Sequence, residues 1–293
     1  MTIATILCPI DLSDFSKPAL AHAAALSRWY QAEVTVLHVF AAVMPPATLG
    51  TCPGWMLQVP EARDQITNEL QSMLEPFTTA GVALNLHTAE GNPASEIIRH
   101  ASELHADLVV MGTHGRGGFD RFALGSVTEK VLRKAPCPVL TLPPDAASTI
   151  GAVRHHHIVC PTDFSPSADV AIRWTLSLAR VSQAAVTILH VIETANDCEH
   201  EQQTTHRADA ARALHSLVTA FVTRGDRVTE RIAHGKPCRE ILSIASECDA
   251  DLIVIGVRGR GPVDLTLFGS TTNHVVRRAA CPVLTIRSLG EQR

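Results

Sequence analysis

The chain has 293 residues, 46% hydrophobic and 18% charged, with a formal net charge of −4 when histidine is neutral. That length is about two ordinary domains, and the acidic balance argues against a surface built for nucleic acid. The first apolar stretch is broken by Asp11 and Asp14, with no basic segment before it, and the longest apolar runs, Leu108–Met111 and Leu252–Ile255, have strand length. These features predict no membrane association and a cytoplasmic location.

In chain order, Ile3–Ile10 is a short apolar run that predicts a strand, and Pro18–Tyr30 is Ala/Leu-rich at helical spacing. Glu33–Phe40 predicts a second strand with a β-branched centre, and the Pro-rich stretch Met44–Pro60 an irregular loop. Ala62–Thr79 has helical spacing and Val82–Thr88 reads as a strand. Asn92-Pro93 supplies an N-cap and a proline at the first helical position, opening a helix to His105. Leu108–Met111, Ser126–Lys134 and Pro138–Leu142 then predict strand, helix and strand. Such alternation, with near-continuous apolar strands, calls for a parallel sheet covered on both faces.

The whole pattern occurs twice. Cys8-Pro9-Ile10-Asp11-Leu12-Ser13 returns as Cys160-Pro161-Thr162-Asp163-Phe164-Ser165, an offset of 152 residues that also carries Val36-Leu37-His38-Val39 onto Ile188-Leu189-His190-Val191. From Gly91/Gly235 onward the offset is 144, through Gly112/Gly256, Gly125-Ser126/Gly269-Ser270 and Cys137-Pro138-Val139-Leu140/Cys281-Pro282-Val283-Leu284. The first copy therefore holds eight extra residues between its second and third strands, assigned to the loop at 44–60. The polar, small-residue seam from Pro143 to Arg154 reads as a linker. The resulting organisation is a first domain at 1–143, a linker at 144–154 and a second domain at 155–288.

Chemistry concentrates after the fourth strand of each copy. Gly112-Thr113-His114-Gly115-Arg116 and Gly256-Val257-Arg258-Gly259-Arg260 are followed by Gly125-Ser126-Val127-Thr128 and Gly269-Ser270-Thr271-Thr272, so both copies obey G-x2-G-x9-G-S. Glycines directly after a strand let the backbone approach a ligand. A helix starting at Ser126 or Ser270 offers unpaired N–H groups and a positive dipole end to an anion. The hydroxyls of Ser126, Thr128, Ser270 and Thr272 are further donors. Ser126 with Glu129 also reads as a capping box, the purely structural alternative. No Gly-Lys-Ser/Thr follows at P-loop spacing, and a dinucleotide fingerprint fails at Asp120, which excludes both classes.

These residues carry a resemblance. The Pro-x-Asp after strand one (Pro9/Asp11 and Pro161/Asp163), the strand-two endings His38-Val39 and His190-Val191, the glycine motif and Cys-Pro-Val-Leu together resemble the universal stress protein domain in its tandem form, across both halves almost end to end. The resemblance implies, in each half, an open five-stranded parallel sheet of order 3-2-1-4-5 with helices on both faces, and a ligand at the carboxyl ends of the strands. It implies an adenine nucleotide, ATP or AMP, its phosphates and ribose on the glycine motif and its adenosine part beside the Asp and the end of strand two. Carried onto this chain, one site is Pro9, Ile10, Asp11, Val39, Gly112, Gly115, Gly125, Ser126, Val127 and Thr128. The other is Pro161, Thr162, Asp163, Val191, Gly256, Gly259, Gly269, Ser270, Thr271 and Thr272. Arg116 and Arg260 are shared cationic candidates, and Arg258 stands where the first copy has His114, which predicts unequal affinities. Mg²⁺ would accompany the nucleotide, held by hydroxyls, Asp11 or Asp163 and phosphate oxygens. Single-domain relatives pair through their last strands, so the halves are expected to form an internal pseudo-two-fold dimer, with a further homodimer as an option.

Other groups weigh less. His38 and His190 read as satisfied core histidines, His155-His156-His157 as a linker run, and Cys198, His200 and His206 lack regular zinc spacing. Asp11 and Asp163 also suit a turn contact to the backbone. Eight cysteines without a C-x-x-C pair read as reduced thiols, with Cys8, Cys160, Cys137 and Cys281 as small core residues, and fifteen histidines make pH a relevant variable. No catalytic residue stands out. The expectation is a stress-response binding module for adenine nucleotide with an unidentified protein partner; the alternatives are a slow metal-dependent ATP hydrolase and an interaction scaffold with vestigial glycine loops.

Overall fold

The structure is a computed structural model that describes residues 2–41, 58–115, 124–193, 200–257 and 269–287. The first half runs β1 (Thr5–Ile10), α1 (Ser16–Tyr30), β2 (Glu33–Ala41), α2 (Gln58–Thr79), β3 (Leu84–Gly91), α3 (Pro93–Glu103), β4 (Leu108–Gly112), α4 (Ser126–Lys134) and β5 (Val139–Leu142). After a 3₁₀ turn at Ile150–Ala152, the second half repeats it as β6 (His157–Thr162), α5 (Pro166–Ser182), β7 (Ala185–Ile192), α6 (His200–Phe221), β8 (Arg227–His234), α7 (Pro237–Glu247), β9 (Leu252–Gly256), α8 (Ser270–Arg278) and β10 (Val283–Ile286).

Each half has the expected strand order, and the two merge into one ten-stranded sheet, β3-β2-β1-β4-β5-β10-β9-β6-β7-β8. All neighbours within a half are parallel, whereas β5 and β10 pair antiparallel with Leu140 opposite Leu284. Two hydroxyls reinforce this seam reciprocally: Thr141 donates to the Val283 carbonyl and Thr285 to the Val139 carbonyl, each at 3.1 Å. The antiparallel pair supplies the pseudo-two-fold relation between the halves.

Alternation along the strands divides the interior into two layers. Ile6 and Val36 belong to a layer shared with α1, α2, α5 and α6; Leu7 and Leu37 belong to the opposite layer, under α3, α4, α7 and α8. Both layers contain residues of both halves, so the core is continuous across the seam. Strands β4 and β5 are almost wholly buried, whereas β3, at the sheet edge, is largely open.

Three sequence-based assignments change. Helix α2 begins at Gln58, so residues 58–60 are helical rather than loop, while the rest of the expected loop, 44–57, lies outside the described residues. The histidine run is not a free linker: His157 opens β6 and His155 is 3% exposed, edge-on to Trp29 of α1 with ring centroids 5.2 Å apart. The seam is anchored as well as polar, since Val153 is buried in the α1/α5 layer. No helix among the described residues is long and apolar enough to cross a membrane.

Candidate functional site

In each half, strand order reverses beside the first strand, so the carboxyl ends of β1 and β4, or of β6 and β9, open onto a common crevice. The chain arrives there under local constraint. Leu12 and Phe164, equivalent residues directly after the two aspartates, take positive φ of 62° and 61°. A bulky side chain in that region is held by its surroundings rather than by its own preference.

The aspartates secure this turn. In the first half, Asp11 Oδ1 accepts from the Ser13 amide at 3.1 Å and from the hydroxyls of Ser13 and Ser16 at 2.5 and 2.9 Å. Ser16 Oγ in turn accepts from the Asp11 amide at 3.1 Å. In the second half, Asp163 Oδ1 accepts from the Ser165 amide at 3.0 Å. The turn contact that was the structural alternative for these residues is thus present in both copies, through one carboxylate oxygen. The other oxygen of Asp11 faces the glycine loop: a Cβ built on Gly115 would lie 2.5 Å from Oδ2.

The histidines at the end of strand two brace the floor. His38 and His190 are directly opposite Ile10 and Thr162, and their Nδ1–H groups donate to those residues' carbonyls at 2.9 and 2.8 Å. They are satisfied core groups, as their position suggested. Pro9, Ile10, Pro161 and Thr162 are buried beneath the crevice, while Val39 and Val191 are partly exposed at its side. Thr162 Oγ1 accepts from the Phe164 amide at 3.1 Å, a turn contact that Ile10 has no oxygen to make.

The glycine motif closes the opposite wall. The Gly125 amide donates to the Thr113 carbonyl at 2.9 Å, which ties the start of α4 to the end of β4. Thr128 Oγ1 donates to the Gly112 carbonyl at 2.9 Å, and Thr272 repeats this with Gly256 at 3.1 Å. Each of these hydroxyls has one proton, already used, so Thr128 and Thr272 fasten helix to turn and are not free donors for a phosphate. Gly125 and Gly269 are the N-caps of α4 and α8 and supply no side-chain cap. Ser126 and Ser270 are therefore the first helical residues, and the capping box that was the structural alternative does not form; Glu129 instead pairs with Arg133 at 2.6 Å. The first-turn amides of Ser126, Val127 and Thr128, and of Ser270, Thr271 and Thr272, have no carbonyl within their own helices to meet.

These glycines sit tight. A Cβ on Gly125 would lie 3.2 Å from the Thr113 carbonyl oxygen, and one on Gly269 3.1 Å from that of Val257. A Cβ on Gly112 would meet the Phe15 carbonyl at 3.1 Å, and one on Gly256 would meet Ser167 Oγ at 3.0 Å. The site is thus a backbone-lined cleft between a carboxylate-held turn and a helix start.

One contact was not anticipated from sequence. Thr113 Oγ1 donates to the Leu142 carbonyl at 3.0 Å, so at 2.9 Å from His114 it receives Nδ1–H. That contact orients the His114 ring, which lies 5.8 Å from that of Phe15. The signal was the hydroxyl one residue before the histidine, and the second copy has Val257 there. Arg116, Arg258, Gly259 and Arg260, and with them the cationic part of the expected site, lie outside the described residues. Cys198 does too, and the described residues contain no group of three or more His, Cys, Asp or Glu able to hold a metal ion.

Known proteins carry the same pattern. The model of the universal stress protein family matches twice, over residues 2–143 and 155–287. A universal stress protein of Mycolicibacterium smegmatis is 26% identical over 291 residues, covering 96% of each chain. One from Methanocaldococcus jannaschii is 36% identical over 137 residues, 47% of this chain and 80% of its own length. Among solved structures, a universal stress protein from Archaeoglobus fulgidus superimposes with a TM-score of 0.70 at 24% identity, covering 97% of this chain and 98% of that one, a likeness of fold.

Proposed function

The chain belongs to the universal stress protein family, and from that premise we propose that it is a stress-response module that binds an adenine nucleotide, ATP or AMP, at the carboxyl end of each half-sheet. The observation that carries this reading is the start of α4 and of α8, with no side-chain cap, beside closely packed glycines at which a Cβ would lie 3.0–3.2 Å from neighbouring atoms. Such a helix start presents amides and a positive dipole end to a phosphate without a lysine or a bound cation. The phosphates lie against Gly112, Gly115, Gly125, Ser126 and Val127 in one half and Gly256, Gly269, Ser270 and Thr271 in the other. The base packs over Ile10 or Thr162 beside Val39 or Val191, with Asp11 Oδ2 or the Asp163 carboxylate as its acceptor.

Mg²⁺ enters only as the companion of a triphosphate. Asp11 Oδ1 already accepts three hydrogen bonds, so a cation would meet the aspartate through Oδ2, the oxygen that faces the glycine loop. The two sites bind with different affinities, because the first has His114 where the second has Arg258, a guanidinium that stays charged and can engage phosphate through paired donors. Occupancy stabilises the fold by mass action and changes the face offered to a protein partner.

The test is thermal unfolding with and without millimolar AMP, ATP and Mg²⁺, on the native chain and on Gly125→Ala and Gly269→Ala. Ligand at about a hundred times its Kd adds about 2.7 kcal/mol of stability. The expected result is a ligand-dependent rise in Tm that each variant reduces and the pair abolishes. A folded, ligand-free protein with no rise for any adenine nucleotide overturns the reading and favours an interaction scaffold. Metal-dependent phosphate release at saturation favours slow hydrolysis.

A further inference from the structure

The two copies diverge sharply at the loop that enters the edge strand. In the first half it reads Thr79-Ala80-Gly81-Val82-Ala83; at the constant offset of 144, the second half reads Thr223-Arg224-Gly225-Asp226-Arg227. The two glycines correspond, both with positive φ, 79° and 108°. Three apolar residues, one of them the core residue Val82 at 5% exposure, are thus replaced by three charged ones.

These charges surround a cleft of about 520 Å³ bounded by Arg180, Gln183, Thr223, Arg224, Asp226 and Arg227. Its place is the amino end of β7 and β8, the opposite end of the half-sheet from the nucleotide crevice. Asp226 is spent on organising it. Its Oδ1 accepts from Arg180 Nε at 2.9 Å, and its Oδ2 from Arg180 Nη2, the Thr223 amide and the Thr223 hydroxyl at 2.8, 2.8 and 3.0 Å. The Arg180 guanidinium holds this carboxyl well below the usual carboxylate range, so the pair stays ionised. Arg227 Nη2 donates to the Gln183 carbonyl at the end of α5.

The account of charge is therefore uneven: three guanidinium groups and one carboxylate, the carboxylate fully engaged with Arg180 and the loop. Arg224 and Arg227 have no acidic partner among the described residues. Behind them the wall is apolar and buried, with Leu176 at 2% and Val186 at 1% exposure. Guanidinium groups gathered at a cleft over apolar packing, two of them held by hydrogen bonds, suit oxygen-rich anions, which they engage through paired N–H donors.

We propose that this cleft is a second ligand site, present in the second half alone, for a small multivalent oxyanion bearing phosphate or carboxylate groups. It does not depend on the nucleotide reading, since no residue is shared with that crevice.

The test uses the full chain labelled with ¹⁵N, titrated separately with pyrophosphate and with citrate while the amides of Gly225, Gln183, Gly125 and Gly269 are followed. The expected result is a saturable shift at Gly225 and Gln183 that is lost, or needs about a hundredfold more anion, in Arg224→Ala/Arg227→Ala, given about tenfold per charge-assisted contact. The variant keeps Arg180 and Asp226, and unchanged Gly125 and Gly269 resonances certify its fold. A response to pyrophosphate alone assigns a phosphate ligand, and a response to citrate alone a carboxylate one. Shifts at Gly125 and Gly269 without any at Gly225, a non-saturating drift, or equal titration of the double variant each overturn the proposal.

Discussion

Asp11 and Gly115 are packed so closely that the Cβ missing from the glycine would lie 2.5 Å from the aspartate's Oδ2. A carboxylate held through its other oxygen by three donors cannot swing away freely. Gly115→Ala therefore forces the loop off Asp11. The expected outcome is about tenfold weaker nucleotide binding at the first site, with the second unaffected and Tm lowered by only a few degrees. Calorimetric titration with AMP reads both sites. Unchanged first-site affinity would show that the contact does not shape the site.

Thr128 and Thr272 lie 3% exposed, each bonded to a glycine carbonyl at the end of a strand. Thr128→Val and Thr272→Val keep the shape and remove that bond, costing about 1 kcal/mol each. Chemical unfolding should show the loss in the absence of ligand, and nucleotide binding should weaken only in the half that carries the substitution. If both losses fail to appear, the hydroxyls are not what fastens turn to helix.

His22 sets an acid limit. It is 4% exposed in α1, its Nδ1–H donates to the Pro18 carbonyl at 2.9 Å, and burial pushes its pKa down to about 4. In the unfolded chain the imidazole titrates near its ordinary value of about 6.5. The unfolded state then binds the proton more readily, so this stability is complete above about pH 6.5 and is lost as pH falls towards 4. The difference corresponds to roughly 3 kcal/mol. His22→Gln retains a donor without titrating, and its urea-unfolding free energy should fall less steeply between pH 6.5 and 4. Parallel curves for the two proteins would assign the acid loss to other groups.

The seam offers a fourth prediction. Thr141 and Thr285 are 1% and 2% exposed and bond reciprocally across β5 and β10. Thr141→Val/Thr285→Val should cost about 2 kcal/mol in total. Calorimetry should still give one transition, because both core layers cross the seam. Two separated transitions would mean that these hydroxyls, rather than the shared core, couple the halves.

Much of this molecule could be read from its sequence because a duplication repeats each signal. The helix at Ser126–Lys134 and the Asn92 cap, whose Oδ1 accepts from the Ser95 amide at 3.2 Å, follow from local chemistry alone. What escaped depends on partners distant in sequence. Nothing near His155 says that it lies on Trp29 of the other half. Nothing near Thr128 says that its proton goes to Gly112 rather than outward. The capping box, the structural alternative for Ser126 and Glu129, missed by one residue: Gly125 took the cap position, which moved Ser126 inside the helix and Glu129 beyond reach of the cap. Spacing gives candidates, whereas a hydroxyl's single proton can be assigned only once its neighbours are placed.

The antiparallel meeting of β5 with β10 has a geometric consequence for the two crevices. Since strands within a half run together and those of the two halves run opposed, the two crevices lie at opposite rims of one sheet. A single small molecule cannot bridge them. Were both crevices to hold nucleotide, as proposed above, the molecule would carry two separate readouts, one at each end of its sheet.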